Sequence, residues 1–265
     1  MRALGGISAV NALGSWYGSS IAVNLGVEVT IEEDESYSPS DPLIKEILEY
    51  FKSRGVPNLR VHVKSEIPPK SGLKSSSAVS TALIGEIAEK YGIEVDALVL
   101  SAILSIKAGV SMTGALDDAA ASYYGGMSLT YNKEFKVLKM ADPPEVRAVI
   151  LMRGNRPRVP DLAEFRKYRD GFLQAFKLAY EGRVFEAVRL NGRLVARVMG
   201  YEEELLEKAE RLGALASGVS GNGPSLFALV REGDEGPIIE EFSKHGETRV
   251  VELVKYGSLG RTLKG

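Results

Sequence analysis

The chain has 265 residues, with 33 Lys and Arg against 35 Asp and Glu, 45% hydrophobic residues, two histidines and no cysteine. This is the make-up of one or two folded domains and excludes wholesale disorder. Without cysteine there are no disulfides, thiolate metal sites or iron–sulfur clusters, and a net charge of −2 gives no global drive toward nucleic acid or an anionic membrane. Glutamine occurs once, at Gln174, and this economy beside abundant Lys, Arg and Glu resembles a thermophile's usage.

In chain order, residues 3–27 are uncharged but diluted by five glycines and by Ser8, Asn11, Ser15, Ser19, Ser20 and Asn24. That is neither a signal peptide nor a membrane span; it reads as a strand pair and loop lining a buried cleft, in a cytoplasmic protein. Residues 21–31 alternate as a strand, and Ser40 and Asp41 are candidate caps for a helix over 42–54. Leu59, Val61 and Val63 read as a strand, followed by a proline-glycine loop that runs into a helix with Val79, Leu83 and Ile87 on its buried stripe. Two more helices are expected, over 96–107 and from Asp117 to just before Gly125-Gly126, then a hairpin over 127–131 and 135–138. Pro143-Pro144 punctuates the chain. A strand over 146–152, helices between 161 and 212, strands over 215–219 and 225–231, a helix over 236–244 and a strand over 249–254 complete it. Strands and helices mix without regular βαβ alternation, which predicts an α+β fold of two domains, 1–145 and 146–265.

Three segments carry chemistry. Residues 68–78 read Pro-Pro-Lys-Ser-Gly-Leu-Lys-Ser-Ser-Ser-Ala, a glycine turn leading into serines at a helix start. A helix N-terminus offers unpaired N–H groups and partial positive charge, so with Lys70 and Lys74 this makes a phosphate cradle; an ordinary capped helix start has the same generic features. Asp117-Asp118 open a helix of small residues, as catalytic acids or as caps. Residues 217–225, Ser-Gly-Val-Ser-Gly-Asn-Gly-Pro-Ser, form a ligand loop or a long hairpin turn. Arg153 and Arg156, after a strand, are candidates for gripping a carboxylate, or part of a solvated surface. A Walker A loop, G-x-G-x-x-G, H-E-x-x-H and G-x-S-x-G are all absent.

The three segments in this order resemble the GHMP kinase superfamily, and Gly-Leu-Lys-Ser-Ser-Ser-Ala (72–78), Thr-Gly-Ala-Leu-Asp-Asp-Ala (113–119) and Val-Asn-Ala (10–12) resemble its archaeal-type shikimate kinases. The resemblance implies a ribosomal-protein-S5-domain-2-like N-terminal domain and a ferredoxin-like C-terminal domain. It implies γ-phosphoryl transfer from ATP, with Mg2+, to the 3-hydroxyl of shikimate, a small-molecule partner. Lys70, Ser71, Gly72, Leu73, Lys74, Ser75, Ser76 and Ser77 would then hold the triphosphate, with Ser76 the Mg2+ ligand. Asp117 is the first candidate for the substrate proton and Asp118 stays open. Asn11, Ser217, Gly221 and Asn222 would meet the hydroxyls, and Arg153, Arg156 or Lys107 the carboxylate. Other members carry a metal-binding glutamate about ten residues before the aspartate; here Lys107 is the only charge between Asp96 and Asp117. The alternatives are a homoserine or mevalonate kinase, a catalytically silent relative, or a plain α+β binding module.

Overall fold

Strands β1 (Arg2–Val10) and β2 (Tyr17–Glu33) pair antiparallel around the loop 11–16, and β1 is buried along its length apart from Arg2. The computed structural model describes residues 1–68, 71–154 and 157–263. Helix α1 (Pro42–Lys52) follows, capped by Asp41, whose carboxylate accepts from the Leu43 and Ile44 amides. Then come β3 (Leu59–Ser65), α2 (Ser75–Tyr91), α3 (Ala97–Lys107), α4 (Leu116–Tyr124), β4 (Met127–Tyr131) and β5 (Lys136–Ala141). The long β2 is shared: its first half pairs with β4 and its second half with β3, giving a five-stranded antiparallel sheet. Helices α2 and α4 pack on β1 and β2.

The second half holds β6 (Arg147–Met152), α5 (Leu162–Arg166), α6 (Arg169–Tyr180), α7 (Val184–Met199), α8 (Glu203–Arg211), β7 (Ala216–Val219), β8 (Leu226–Val230), α9 (Gly236–Phe242) and β9 (Glu247–Glu252). Its antiparallel sheet runs β7-β8-β6-β9. A strand, a helical crossover, two strands, a helix and a strand in that spatial order is the ferredoxin-like arrangement expected for this half. Helices α6 and α7 also pack on β1. A strand covered by both halves has no wet face on which to place charge, which accounts for the uncharged residues 3–10 of β1.

After β9 the chain returns to the first half. The Val254 amide donates to Ala22 O at 2.9 Å, and the Gly126 amide donates to Val254 O at 2.9 Å. A Cβ on Gly125 would stand 2.6 Å from Lys255 O, and one on Gly126 2.7 Å from the Tyr256 Cβ. This glycine pair therefore makes room for the C-terminal segment, not for a ligand. No helix among the described residues is long and apolar enough to cross a membrane.

Candidate active site

The two helices whose N-termini open on the cleft start from a residue in the left-handed region. Asp41, Asp96 and Asp161 cap α1, α3 and α5 through their side chains. Helices α2 and α4 instead start from Lys74 (φ 69°) and Ala115 (φ 51°) in the left-handed region, with no side-chain cap. The first amides of α2 are left for something else to bind, which is the condition for an anion site, whereas α4 opens on the carboxyls of Asp117 and Asp118. The reading of Asp117 as a cap is thus set aside: it lies inside the first turn of α4.

Both helix starts open on one cleft of about 330 Å³. It is lined by Ser71, Gly72, Lys74 and Ser75 to Ser77 from the loop and α2, by Asn11 beyond β1, by Ser105 on α3, by Asp117 and Asp118, and by Gly221 and Asn222. The glycine loop after β7 is tied to residues 71–74 by contacts to their backbone. Ser220 Oγ donates to Gly72 O at 2.9 Å, and a Cβ on Gly72 would lie 2.5 Å from Ser220 O. Asn11 clamps the far side, its Nδ2 donating to Gly221 O at 3.1 Å and to Asn222 Oδ1 at 2.8 Å.

Lys74 reaches across this seam. Its ammonium pairs with Asp118 Oδ1 at 2.9 Å and donates to Ser8 Oγ at 2.7 Å, and Ser8 Oγ in turn accepts the Gly221 amide at 3.0 Å. Asp117 sits behind Asp118 and is only 4% exposed. Its Oδ1 accepts from Asn132 Nδ2 at 2.8 Å, and Asn132 Oδ1 accepts from Thr130 Oγ1 at 2.6 Å. Ser20 Oγ donates to Asp118 Oδ1 and lies 3.5 Å from Asp117 Oδ2. Burial, and next the adjacent Asp118 charge, push the Asp117 carboxyl up to about 7, against the opposing pull of Lys74 and Asn132.

Several expected site residues lie elsewhere. Leu73 is buried in the core, where its carbonyl accepts the Gly6 amide at 3.1 Å. Lys107 pairs with Glu46 at 2.6 Å on the outer side of α3, its side chain 62% exposed. Ser217 is buried within β7 and donates to Leu206 O at 2.9 Å and Glu210 Oε1 at 2.8 Å. Arg153 pairs with Glu202 at 2.9 Å in a separate hollow beside Tyr201 and His245. Lys70 and Arg156 lie outside the described residues.

Sequence reasoning missed Ser8, Ser20, Asn132 and Arg166. Arg166 stands behind the cleft wall: its Nε donates to Leu13 O at 3.3 Å, and its guanidinium lies 4.7 Å from the centre of the Trp16 ring. Trp16 is itself in the left-handed region (φ 70°), so this cation braces the loop that presents Asn11 to Leu13.

Comparison with known proteins agrees with the geometry. The GHMP kinases N terminal domain matches residues 42–126 and the GHMP kinases C terminal domain residues 176–248. The shikimate kinase of Pyrococcus furiosus is 36% identical over 91% of this chain and 95% of its own length. That of Methanothermobacter thermautotrophicus is 30% identical over 97% and 96%. Among solved structures, the Methanococcus jannaschii mevalonate kinase superposes with a TM-score of 0.71 at 14% identity, covering 96% of this chain and 97% of that one. The Lactococcus lactis galactokinase complexed with galactose gives 0.72 at 14% identity, covering 97% and 93%. With both domain families matched in order and relatives 30% and 36% identical over nearly their whole length, the chain belongs to the GHMP kinases, in the group that holds the archaeal shikimate kinases.

Proposed function

We propose that this protein is a shikimate kinase, transferring the γ-phosphoryl group of ATP to the 3-hydroxyl of shikimate, with residues 1–145 and 146–265 as its two domains. The observation that carries the reading is the convergence of an uncapped helix N-terminus, a lysine–aspartate pair and a polar loop in one cleft, in a chain 36% identical to a shikimate kinase. Phosphoryl transfer depends on positioning and charge stabilisation more than on covalent help from the protein. The α2 amides with Ser71, Gly72, Lys74, Ser75, Ser76 and Ser77 receive the triphosphate. Asn11, Gly221 and Asn222 meet the ring hydroxyls. The Asp117–Asp118 pair orients the attacking hydroxyl and takes its proton as the O–P bond forms and the β,γ-bridging oxygen leaves with ADP.

Mg2+ takes oxygen donors, keeps several waters and commonly leans on substrate phosphates. Among the described residues no three His, Cys, Asp or Glu side chains gather as a metal set. The donors present therefore fit a metal carried mainly by ATP, with the exposed Ser76 hydroxyl at the head of α2 as its protein ligand. When bound, Mg2+ neutralises charge on the β- and γ-oxygens.

The test is ADP formation from ATP with shikimate, homoserine and mevalonate in parallel. Turnover with shikimate is expected. Turnover only with one of the others overturns the substrate assignment, and none with any overturns the kinase reading.

A further inference from the structure

Three asparagines lead from the second half of the chain into the cleft, and backbone groups fix which way their amides face. Asn191 lies in the middle of α7 with no exposed surface, and its Oδ1 accepts the Asn11 backbone N–H at 2.8 Å. Its Nδ2 takes no partner among the described residues. A buried amide left half-unpaired costs stability, so what this position gains from asparagine is the acceptor oxygen. At Asn11, Oδ1 accepts the Leu13 N–H at 2.9 Å and Nδ2 donates to the Gly221 carbonyl at 3.1 Å. A peptide N–H only donates and a carbonyl only accepts, so the Asn11 amide can stand only one way round. Its second Nδ2 hydrogen goes to Asn222 at 2.8 Å, and the atom it meets must therefore be the Asn222 oxygen.

The Asn222 backbone is pinned as well. Its carbonyl accepts from the Tyr201 hydroxyl at 2.9 Å, and the preceding Gly221 N–H donates to Ser8 Oγ at 3.0 Å. With Oδ1 turned to Asn11, the Asn222 Nδ2 donates to nothing among the described residues, on a side chain that lines the cleft. We infer that Asn222 selects the alcohol by donating from Nδ2 to one of its oxygens, and that Asn11 and Asn191 are positioning residues that act through Asn222. This rests on the kinase reading above and divides the roles given there to Asn11 and Asn222. The group it fits is an acceptor oxygen, either a ring hydroxyl or a carboxylate. If Asn11 did not hold the oxygen, the Asn222 amide could turn over and present an acceptor instead.

The test is steady-state kinetics, each substrate varied in turn, with the alcohol that the wild type phosphorylates. Asn222→Ala should raise KM for that alcohol about tenfold and leave KM for ATP within a few-fold. Asn11→Ala and Asn191→Leu should each raise the same KM by about three- to tenfold. Either one added to Asn222→Ala should cost less than about threefold more, because both act through the residue already removed. Asn222→Asp separates the two oxygen sources. A carboxylate is repelled, and KM rises by about 10²-fold; a hydroxyl can turn and donate, and KM rises less than in Asn222→Ala. An unchanged alcohol KM in Asn222→Ala, an equal rise in KM for ATP, or fully additive effects in the double variants overturns the inference. Asn222 is only half-buried, so its variants decide the matter even if Asn191→Leu fails to fold. A wild-type protein that turns over none of the three alcohols fails the kinase reading itself.

Discussion

Asp117→Asn should make the protein more stable, and increasingly so as pH rises. The wild-type carboxyl is buried and pushed from an ordinary 3.8 to about 7. A carboxyl whose folded-state pKa lies above its unfolded value binds an extra proton in the folded state between those two pH values. Stability therefore falls as pH climbs from about 4 to about 7 and is level beyond. Three pKa units at about 1.4 kcal/mol each give an upper figure of about 4 kcal/mol of stability forgone above neutral pH. Asparagine has nearly the same shape, keeps the Asn132 contact and has no charge to bury. The variant should match the wild type near pH 4 and exceed it at pH 8, by up to roughly 10 °C in Tm for a chain of this size. Paired denaturation curves at pH 5 and pH 8 measure this. A difference that does not change with pH, or a variant less stable at pH 8, would refute the reasoning.

Three other perturbations follow from particular contacts. Gly18→Ala puts a Cβ 2.6 Å from the Asp117 Cγ; on the proposed assignment of the Asp117–Asp118 pair it should lower kcat about 10²-fold, the cost of an ångström-scale misplacement, with little change in ATP affinity. Arg166→Ala removes the cation behind Leu13 and Trp16; it should raise KM for the alcohol about tenfold while kcat and KM for ATP stay within a few-fold, as steady-state kinetics with each substrate varied will show. Glu241 is held down to about 2, first by Lys208 and then by Lys244, with His245 adding to the effect. Its contribution is present above the ordinary glutamate value of 4.5 and is lost as pH falls toward 2. Acid-unfolding curves of Glu241→Gln should therefore lose part of the wild type's pH dependence in that window.

The elements were largely legible because their patterns are local. Asp41 capping α1 and the alternation through β3 need no knowledge of the rest of the chain. Lys107 was misplaced for a reason the sequence also contains. Ser105 on α3 lines the cleft, and two residues further a helix has turned about 200°, so Lys107 points away. Ser217 belongs to β7 (Ala216–Val219), and the loop that meets the cleft begins only after Val219. The polar contacts that assemble the site were not legible. Lys74 meets Asp118 across 44 residues of sequence, and Asn132 reaches Asp117 from beyond the end of β4. No spacing rule announces a lone serine or asparagine brought in by tertiary structure.

The glycines show why three short motifs nevertheless located the site. Gly72 fits under Ser220 O and Gly223 O, Gly6 donates to Leu73 O, and Gly18 lies over Asp117. Each is a place where two backbones, or a backbone and a buried carboxyl, approach closer than a side chain allows. The motif residues are therefore joints between segments as much as ligand contacts. The loop before α2 is fastened to β1 through Gly6 and to the glycine loop through Gly72, and Lys74 ties that assembly to α4. A substitution at Gly6 or Gly72 should act on geometry at Asp118 and the α2 N-terminus together. Its signature would be a joint loss of kcat and of nucleotide affinity, whereas Gly18→Ala should lower kcat alone.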